Sequence, residues 1–137
     1  MTVSLAARAT LGLILGASTC PLPVAAAADL DWAQAQRISV TMTDYRFTPS
    51  LLAFHRGVPY RLTLENAGTV LHEFTARDFF RAVSVNNPEI MTHEGQEILL
   101  RPHERKEVYL VPRQPGHYKL ICADHDFLGM TGEITIE

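Results

Sequence analysis

The sequence predicts an all-β protein, and three observations lead to this fold class. Apolar and polar residues alternate with a period of two in several short segments, as in Ile38-Ser-Val-Thr-Met42. Turn-forming residues interrupt these segments about every 8 to 12 residues, and no helical period is sustained. This spacing predicts about seven short strands, arranged as a two-sheet β-sandwich of Greek-key type.

The first 28 residues are typical of a secretory signal peptide. Arg8 is their one charged side chain, a short apolar run follows at residues 11–17, and the segment ends in Ala25-Ala-Ala-Ala28. This order of a basic region, an apolar region and a region of small residues predicts that residues 1–28 are removed on export. Because the apolar run is too short to span a bilayer, we expect a periplasmic protein without stable membrane insertion.

The rest of the chain predicts one domain. Residues 29–36 would form an N-terminal arm, and residues 37–137 have the length of one domain with a single core. The formal net charge is −3. Such mild acidity does not indicate a surface that binds nucleic acid. The acids Glu89, Glu94 and Glu97 are predicted to form an exposed polar face. We expect the protein to be monomeric.

The alternation also places the strands along the chain. The clearest strands lie at residues 38–43, 60–65, 70–75, 97–100, 107–111, 118–122 and 133–137. In the segment 70–75, His72 shares a face with Val70 and Phe74, so its side chain is predicted to point inward. Residues 77–82 fit either one helical turn or an irregular segment, because two adjacent Phe match neither period.

A single cysteine, Cys122, remains once the predicted signal peptide is removed. In an oxidising compartment it has no internal disulfide partner, so we expect it to be buried, paired between chains or bound to metal. Burial is the ordinary state of a free cysteine. The polar neighbours Asp124, His125 and Asp126 argue against a purely apolar surrounding.

Three metal-ligating side chains follow one another at the end of a predicted strand. Cys122, His125 and Met130 supply a thiolate, an imidazole and a thioether, which form most of the ligand set of a blue-copper site. His72, at an inward position of another strand, is the candidate for the second imidazole. Taken singly, each residue has an ordinary explanation in a core or a loop. Together they favour copper over zinc, for which Met is a poor ligand.

These residues resemble the cupredoxin family of small blue-copper proteins, such as plastocyanin, pseudoazurin and azurin. The matching parts are Tyr45-Arg-Phe-Thr-Pro49, His72-Glu-Phe74, Gly116-His-Tyr-Lys-Leu-Ile-Cys122 and Cys122-x2-His125-x4-Met130-x-Gly132. The resemblance implies a cupredoxin-like sandwich with one type 1 copper ion. It implies three trigonal ligands and one weak axial ligand. The trigonal ligands would be His72, Cys122 and His125, and the axial ligand Met130.

Two positions depart from the family's usual pattern. Glu73 stands directly after the first ligand His, where the family usually has an Asn that ties the ligand strands together. Asp124 precedes the second ligand His, where plastocyanin-like proteins often have Pro. Both changes add a carboxylate near the predicted site.

The resemblance implies one-electron transfer between redox partners and no enzymatic activity of the protein's own. Phe127 and Leu128, beside His125, are the predicted docking edge for a redox protein partner. Two other functions stay open because of the acids at Glu73, Asp124 and Asp126, and Met91 and His93 add to the first of them. One is storage or delivery of copper in the periplasm, and the other is an accessory role in iron uptake. In that last role, Glu73 and Asp124 would contact Fe(II) during its oxidation.

Overall fold

The computed structural model describes residues 30–137, so the predicted signal peptide lies outside the described residues. In this part of the chain, ten strands form two sheets with little helix. The strands are β1 (Gln36–Thr43), β2 (Arg46–Thr48), β3 (Leu51–Phe54), β4 (Tyr60–Asn66), β5 (His72–Thr75), β6 (Val83–Val85), β7 (Glu97–Leu100), β8 (Arg105–Pro112), β9 (Gly116–Ile121) and β10 (Thr131–Ile136). The helical elements are α1 (Arg77–Arg81) and 3-10 helices at Trp32–Gln34, Pro88–Ile90, His93–Gly95 and Asp126–Leu128. The predicted all-β fold is confirmed.

The described residues hold ten strands, whereas the sequence predicted about seven. Strands β2 and β6 span three residues each, which is too short for a period of two to be recognised. The segment after β5 is the short helix α1, which resolves the choice left open for residues 77–82. Its adjacent Phe79 and Phe80 are both buried, because both side chains belong to the core.

Each sheet contains five strands. Their orders are β2-β1-β4-β8-β6 and β3-β10-β9-β5-β7. The chain changes sheets between β4 and β5, so residues 67–71 cross one end of the sandwich. Strands β9 and β10 are antiparallel neighbours, and the loop that joins them, residues 122–130, lies at the end where Thr131 pairs with Ile121. These connections bring several loops together at one end.

The core lies between the inner faces of the two sheets. The predicted inward positions Val40 and Met42 of β1 are buried, as expected from the alternation. Aromatic rings fill the centre, with Phe54 packed 4.9 Å from Tyr60 and 5.2 Å from Phe79 between ring centroids. Complete burial of such a side chain contributes about 1.5–3 kcal/mol to stability. The buried rings therefore stabilise the sheets that carry the loops.

The predicted exposed acidic face is wrong for one of its three residues. Glu89 and Glu94 are exposed, but Glu97 is only 5% exposed, at the start of β7. Its carboxylate accepts a hydrogen bond from the Thr92 hydroxyl at 3.1 Å and lies 3.3 Å from His93 Nε2. The preceding turn thus folds back over Glu97, which periodicity alone does not predict.

Within residues 30–137, no helix has the length and apolar character that crossing a membrane requires. The predicted boundaries at residues 28 and 36 stay predictions. In the structure, the predicted arm contains the 3-10 helix at Trp32–Gln34, and β1 begins at Gln36. The ring of Trp32 packs 5.5 Å from that of Tyr109, so this segment contacts the sandwich.

Candidate metal centre

Three of the four predicted ligands meet at one end of the sandwich. The ligand atoms of His72, Cys122 and His125 all lie within 4.8 Å of one another. The Cys122 Sγ is 3.9 Å from His72 Nδ1 and 3.3 Å from His125 Nδ1. Bonds of about 2.0–2.3 Å from one ion to nitrogen and sulfur leave such ligand atoms roughly 3–4 Å apart. The cluster therefore has the donor set and the size of a single-ion site.

The loop from Cys122 to Met130 is closed by its own backbone hydrogen bonds. The N–H of Cys122 donates to the carbonyl of Met130 at 3.0 Å, and the N–H of His125 donates to the carbonyl of Cys122 at 3.1 Å. Gly129 has a φ of 85°, a left-handed conformation that favours glycine. Cys122 and Met130 are completely buried. The backbone thus places the predicted thioether residue beside the predicted thiolate.

A carboxylate that the sequence pattern does not predict binds the outer nitrogen of the His72 ring. Asp44 Oδ1 lies 2.8 Å from His72 Nε2. Because an ionised carboxylate can only accept, the ring proton belongs on Nε2, and the lone pair of Nδ1 points towards Cys122. Thr69 donates its N–H and its hydroxyl to the same carboxylate, at 2.9 and 2.6 Å. These bonds, with a smaller part from His72, lower the pKa of Asp44 to about 2.

The loop before His72 is shaped by a buried amide. Asn66 donates to the carbonyls of Val70 and Leu100, at 2.8 and 3.0 Å, and accepts the N–H of Gly68 at 2.8 Å. Asn66 is completely buried, and its bonds with Leu100 and Gly68 are shielded from water. The turn at residues 66–68 therefore also supports the strand that carries His72.

Glu73 joins the His72 strand to the Cys122 loop. Its backbone N–H donates to Cys122 Sγ at 3.4 Å, and its carboxylate accepts the N–H of Asp124 at 3.1 Å. The side chain is only 8% exposed. Burial raises the pKa of Glu73, the bond from Asp124 opposes the rise, and the charges of Asp124 and Glu97 add to it. Glu73 thus connects the two ligand segments through its carboxylate, the task for which the family usually uses Asn.

The thiol itself is in a mixed environment. Burial raises the pKa of Cys122, while the N–H of Glu73 opposes the rise. A metal ligand must be the thiolate, so metal binding would release the Cys122 proton. A thiol that stays protonated without metal is also a poor nucleophile.

The side of His125 is open to the surface. His125 is half-buried, and the ring of Tyr45 packs over it at 4.7 Å between centroids. Phe127 and Leu128 follow in the loop and are 78% and 48% exposed, in line with the predicted docking edge. Tyr45 also packs edge-on against His72 at 6.1 Å. Asp44 and Tyr45 form the β1–β2 turn, so one turn contacts both imidazoles.

Comparison with known proteins gives the same fold. Auracyanin B is 20% identical, with a TM-score of 0.57 over 75% of this chain and 89% of that chain. Dithionite-reduced auracyanin from Roseiflexus castenholzii is 13% identical, with a TM-score of 0.56 over 75% of this chain and 98% of that chain. At these identities, the likeness establishes a shared fold.

A sequence relative and a family match complete the comparison. An uncharacterized protein of Rickettsia prowazekii (strain Madrid E) is 25% identical over 88 residues, 64% of this chain and 58% of that protein. The chain thus spans less than two thirds of the length of this relative. The cupredoxin-like domain family matches residues 12–136. The fold and the cluster of His72, Cys122 and His125 support one copper ion. Because the family match extends over most of the sequence, the chain belongs to the cupredoxin-like domain family.

Proposed function

We propose that this protein is an exported type 1 copper protein that transfers single electrons between redox partners. His72, Cys122, His125 and Met130 would hold the copper ion. The observation that carries the proposal is the convergence of one thiol and two imidazole nitrogens within 4.8 Å. This ligand set, with a weak thioether, is typical of blue-copper electron-transfer sites.

Copper, when bound, would supply a one-electron couple, and the chain would supply a fixed set of ligands. The strands β5 and β9 and the hydrogen-bonded loop hold these ligands in one arrangement, which suits both oxidation states of copper. The N–H of Glu73 on Cys122 Sγ would tune the potential, because hydrogen bonds to the sulfur change its electron donation. Little movement on reduction favours fast electron transfer.

The exposed apolar edge beside His125 suits a redox protein partner. Phe127 and Leu128 are large apolar residues that the fold leaves in solvent. Small apolar contacts give weak complexes that form and separate quickly, as repeated electron transfer requires. We infer that electrons pass through the His125 side, whereas the His72 side is closed.

The role in iron uptake receives less support from the position of Glu73. Glu73, a candidate Fe(II) contact, is buried, and its carboxylate accepts the N–H of Asp124. Asp124 itself is exposed. Retention of copper through repeated oxidation and reduction favours electron transfer, while loss of Cu(I) to a partner protein favours delivery. Faster Fe(II) oxidation by the copper-loaded protein would favour the role in iron uptake.

The test is the visible spectrum after Cu(II) is added to the purified protein. We expect an intense thiolate-to-copper band in the red region, and Cys122→Ser should abolish it. His117→Ala is the matched control, because His117 is exposed and lies outside the cluster. It should leave the band unchanged. The proposal is wrong if the unaltered protein shows no such band.

A further inference from the structure

The β1–β2 turn places an anion directly behind the buried imidazole. Asp44 Oδ1 is 2.8 Å from His72 Nε2, and the side chain of His72 is completely buried. The other neighbour that binds this carboxylate is Thr69, which donates its N–H and hydroxyl to it. Thr69 thereby fixes the carboxylate, and the carboxylate fixes the ring.

The backbone around this contact leaves room for it. A Cβ at position 68 would collide with Asp44 Oδ1 and would lie 2.9 Å from His72 Nε2. Glycine at this position therefore lets the loop approach both side chains closely. Asn66 holds the same loop by accepting the N–H of Gly68. The β1–β2 turn and the loop before β5 thus approach each other closely at this contact.

The contact of the Asp44 carboxylate with the outer nitrogen of His72 changes how the ring binds a metal ion. A carboxylate on the outer nitrogen of a metal-binding imidazole fixes the tautomer and raises the basicity of the inner nitrogen. The negative charge also stabilises the ion with the higher positive charge. Both effects favour Cu(II) over Cu(I), which lowers the reduction potential.

We propose that Asp44 is a positioning residue for the copper centre, holding His72 with Nδ1 towards the metal and favouring the oxidised ion. This inference rests on the proposed function. It adds a residue that acts through His72 without touching the metal. Among residues 30–137, no carboxylate bonds to the His125 ring, and the ring of Tyr45 packs over it.

The first experiment measures the charge effect on the copper-loaded protein. Asp44→Asn keeps an acceptor oxygen near His72 but removes the charge. We expect the preference for Cu(II) over Cu(I) to fall about tenfold, a rise of about 59 mV in the potential of a one-electron couple. Asp126→Asn is the matched control. It removes an exposed charge next to His125 without a side-chain bond to either imidazole. Equal shifts in the two variants would overturn the charge role.

The second experiment reads the ring position without copper. In the unaltered protein, nitrogen NMR of the His72 ring, at a pH where histidine is neutral, should show the proton on Nε2. Asp44→Ala should populate both tautomers, while backbone spectra show that the variant is folded. An unchanged tautomer would overturn the positioning role. A missing type 1 band in the unaltered protein would instead refute the copper function, and the tautomer would still decide the role of Asp44.

Discussion

The two imidazoles of the centre lie in opposite surroundings. His72 is completely buried, belongs to a strand, and has its outer nitrogen bonded to Asp44. His125 is half-buried, belongs to a loop, and has the ring of Tyr45 and the exposed Phe127 as neighbours. We propose different roles for the two sides. The strand side, with His72 and Asp44, would fix the ligand geometry. The loop side, with His125 and Phe127, would offer a surface through which a partner can reach the metal.

The strongest test of the strand side removes the amide of Asn66, which holds the loop before β5. Asn66→Ala would leave the part-buried carbonyl of Val70 and the buried carbonyl of Leu100 without their side-chain donor. We expect a loss of about 3 kcal/mol of stability, because the loop would have to open to hydrate them. Denaturant unfolding of the copper-free protein measures this. Asn86→Ala, at an exposed position, is the control and should change stability by less than about 0.5 kcal/mol. Similar losses of stability in both variants would contradict the interpretation that the strand side is closed to water.

A methyl group at position 68 should disturb the centre more specifically. In Gly68→Ala the new Cβ would collide with Asp44 and press on His72. Overpacking of this kind costs about 1–3 kcal/mol, and we expect the thiolate-to-copper band to weaken or shift. Gly57→Ala serves as control. Gly57 has a φ of 78° and no atom near its Cβ position, so strain of about 1 kcal/mol is expected there. An altered copper spectrum in the control would count against a local effect.

A change on the loop side should slow electron transfer and leave the stability of the protein unchanged. Phe127→Glu places a charge on the exposed edge. We expect electron exchange between oxidised and reduced copies of the protein to slow about tenfold, or roughly 1.4 kcal/mol in the barrier, with an unchanged copper spectrum. Leu30→Glu adds the same charge near Trp32, which packs on Tyr109. Equal slowing in both variants would show a general charge effect and no specific docking edge.

The sequence predicted the parts of this centre that depend on local spacing. Cys122 and His125 are three positions apart, so a single loop can bring them together. His72 followed from its inward phase in a strand. Asp44 was missed because its contact with His72 joins residues 28 positions apart, through a turn whose path periodicity does not define. The family resemblance included the neighbouring Tyr45 but suggested no role for the turn.

The alternation of apolar and polar residues also did not predict which acidic side chains are buried. Glu73 and Glu97 occupy outward phases of their strands, yet both are covered by loops that fold over the sheet. A period of two tells which face a residue lies on, and loops decide whether that face meets water. The fold class therefore follows from alternation, whereas the surroundings of the metal centre follow from loop paths.

The two carboxylates next to the strand side have opposite pKa shifts, and this gives the smallest predicted effect. The pKa of Asp44 falls from 3.8 to about 2, so its contribution to stability is present above pH 3.8 and is lost as the pH falls through about 2. The pKa of Glu73 is raised above 4.5 by burial. The folded state then binds the proton more tightly than the unfolded state, and the Glu73 contribution declines as the pH rises above 4.5.

The stability of Glu73→Gln, measured relative to the unaltered protein, should therefore be higher at pH 7 than it is at pH 4. Gln keeps an oxygen that can accept the N–H of Asp124, so the link between the ligand segments should survive. Unfolding of the copper-free proteins across this pH range measures the difference. Glu133→Gln, at an exposed position of β10, should run parallel to the unaltered protein. A parallel course for Glu73→Gln as well would mean that Glu73 is hydrated in solution. The strand side would then be less closed than the contacts of Asp44 and Asn66 indicate.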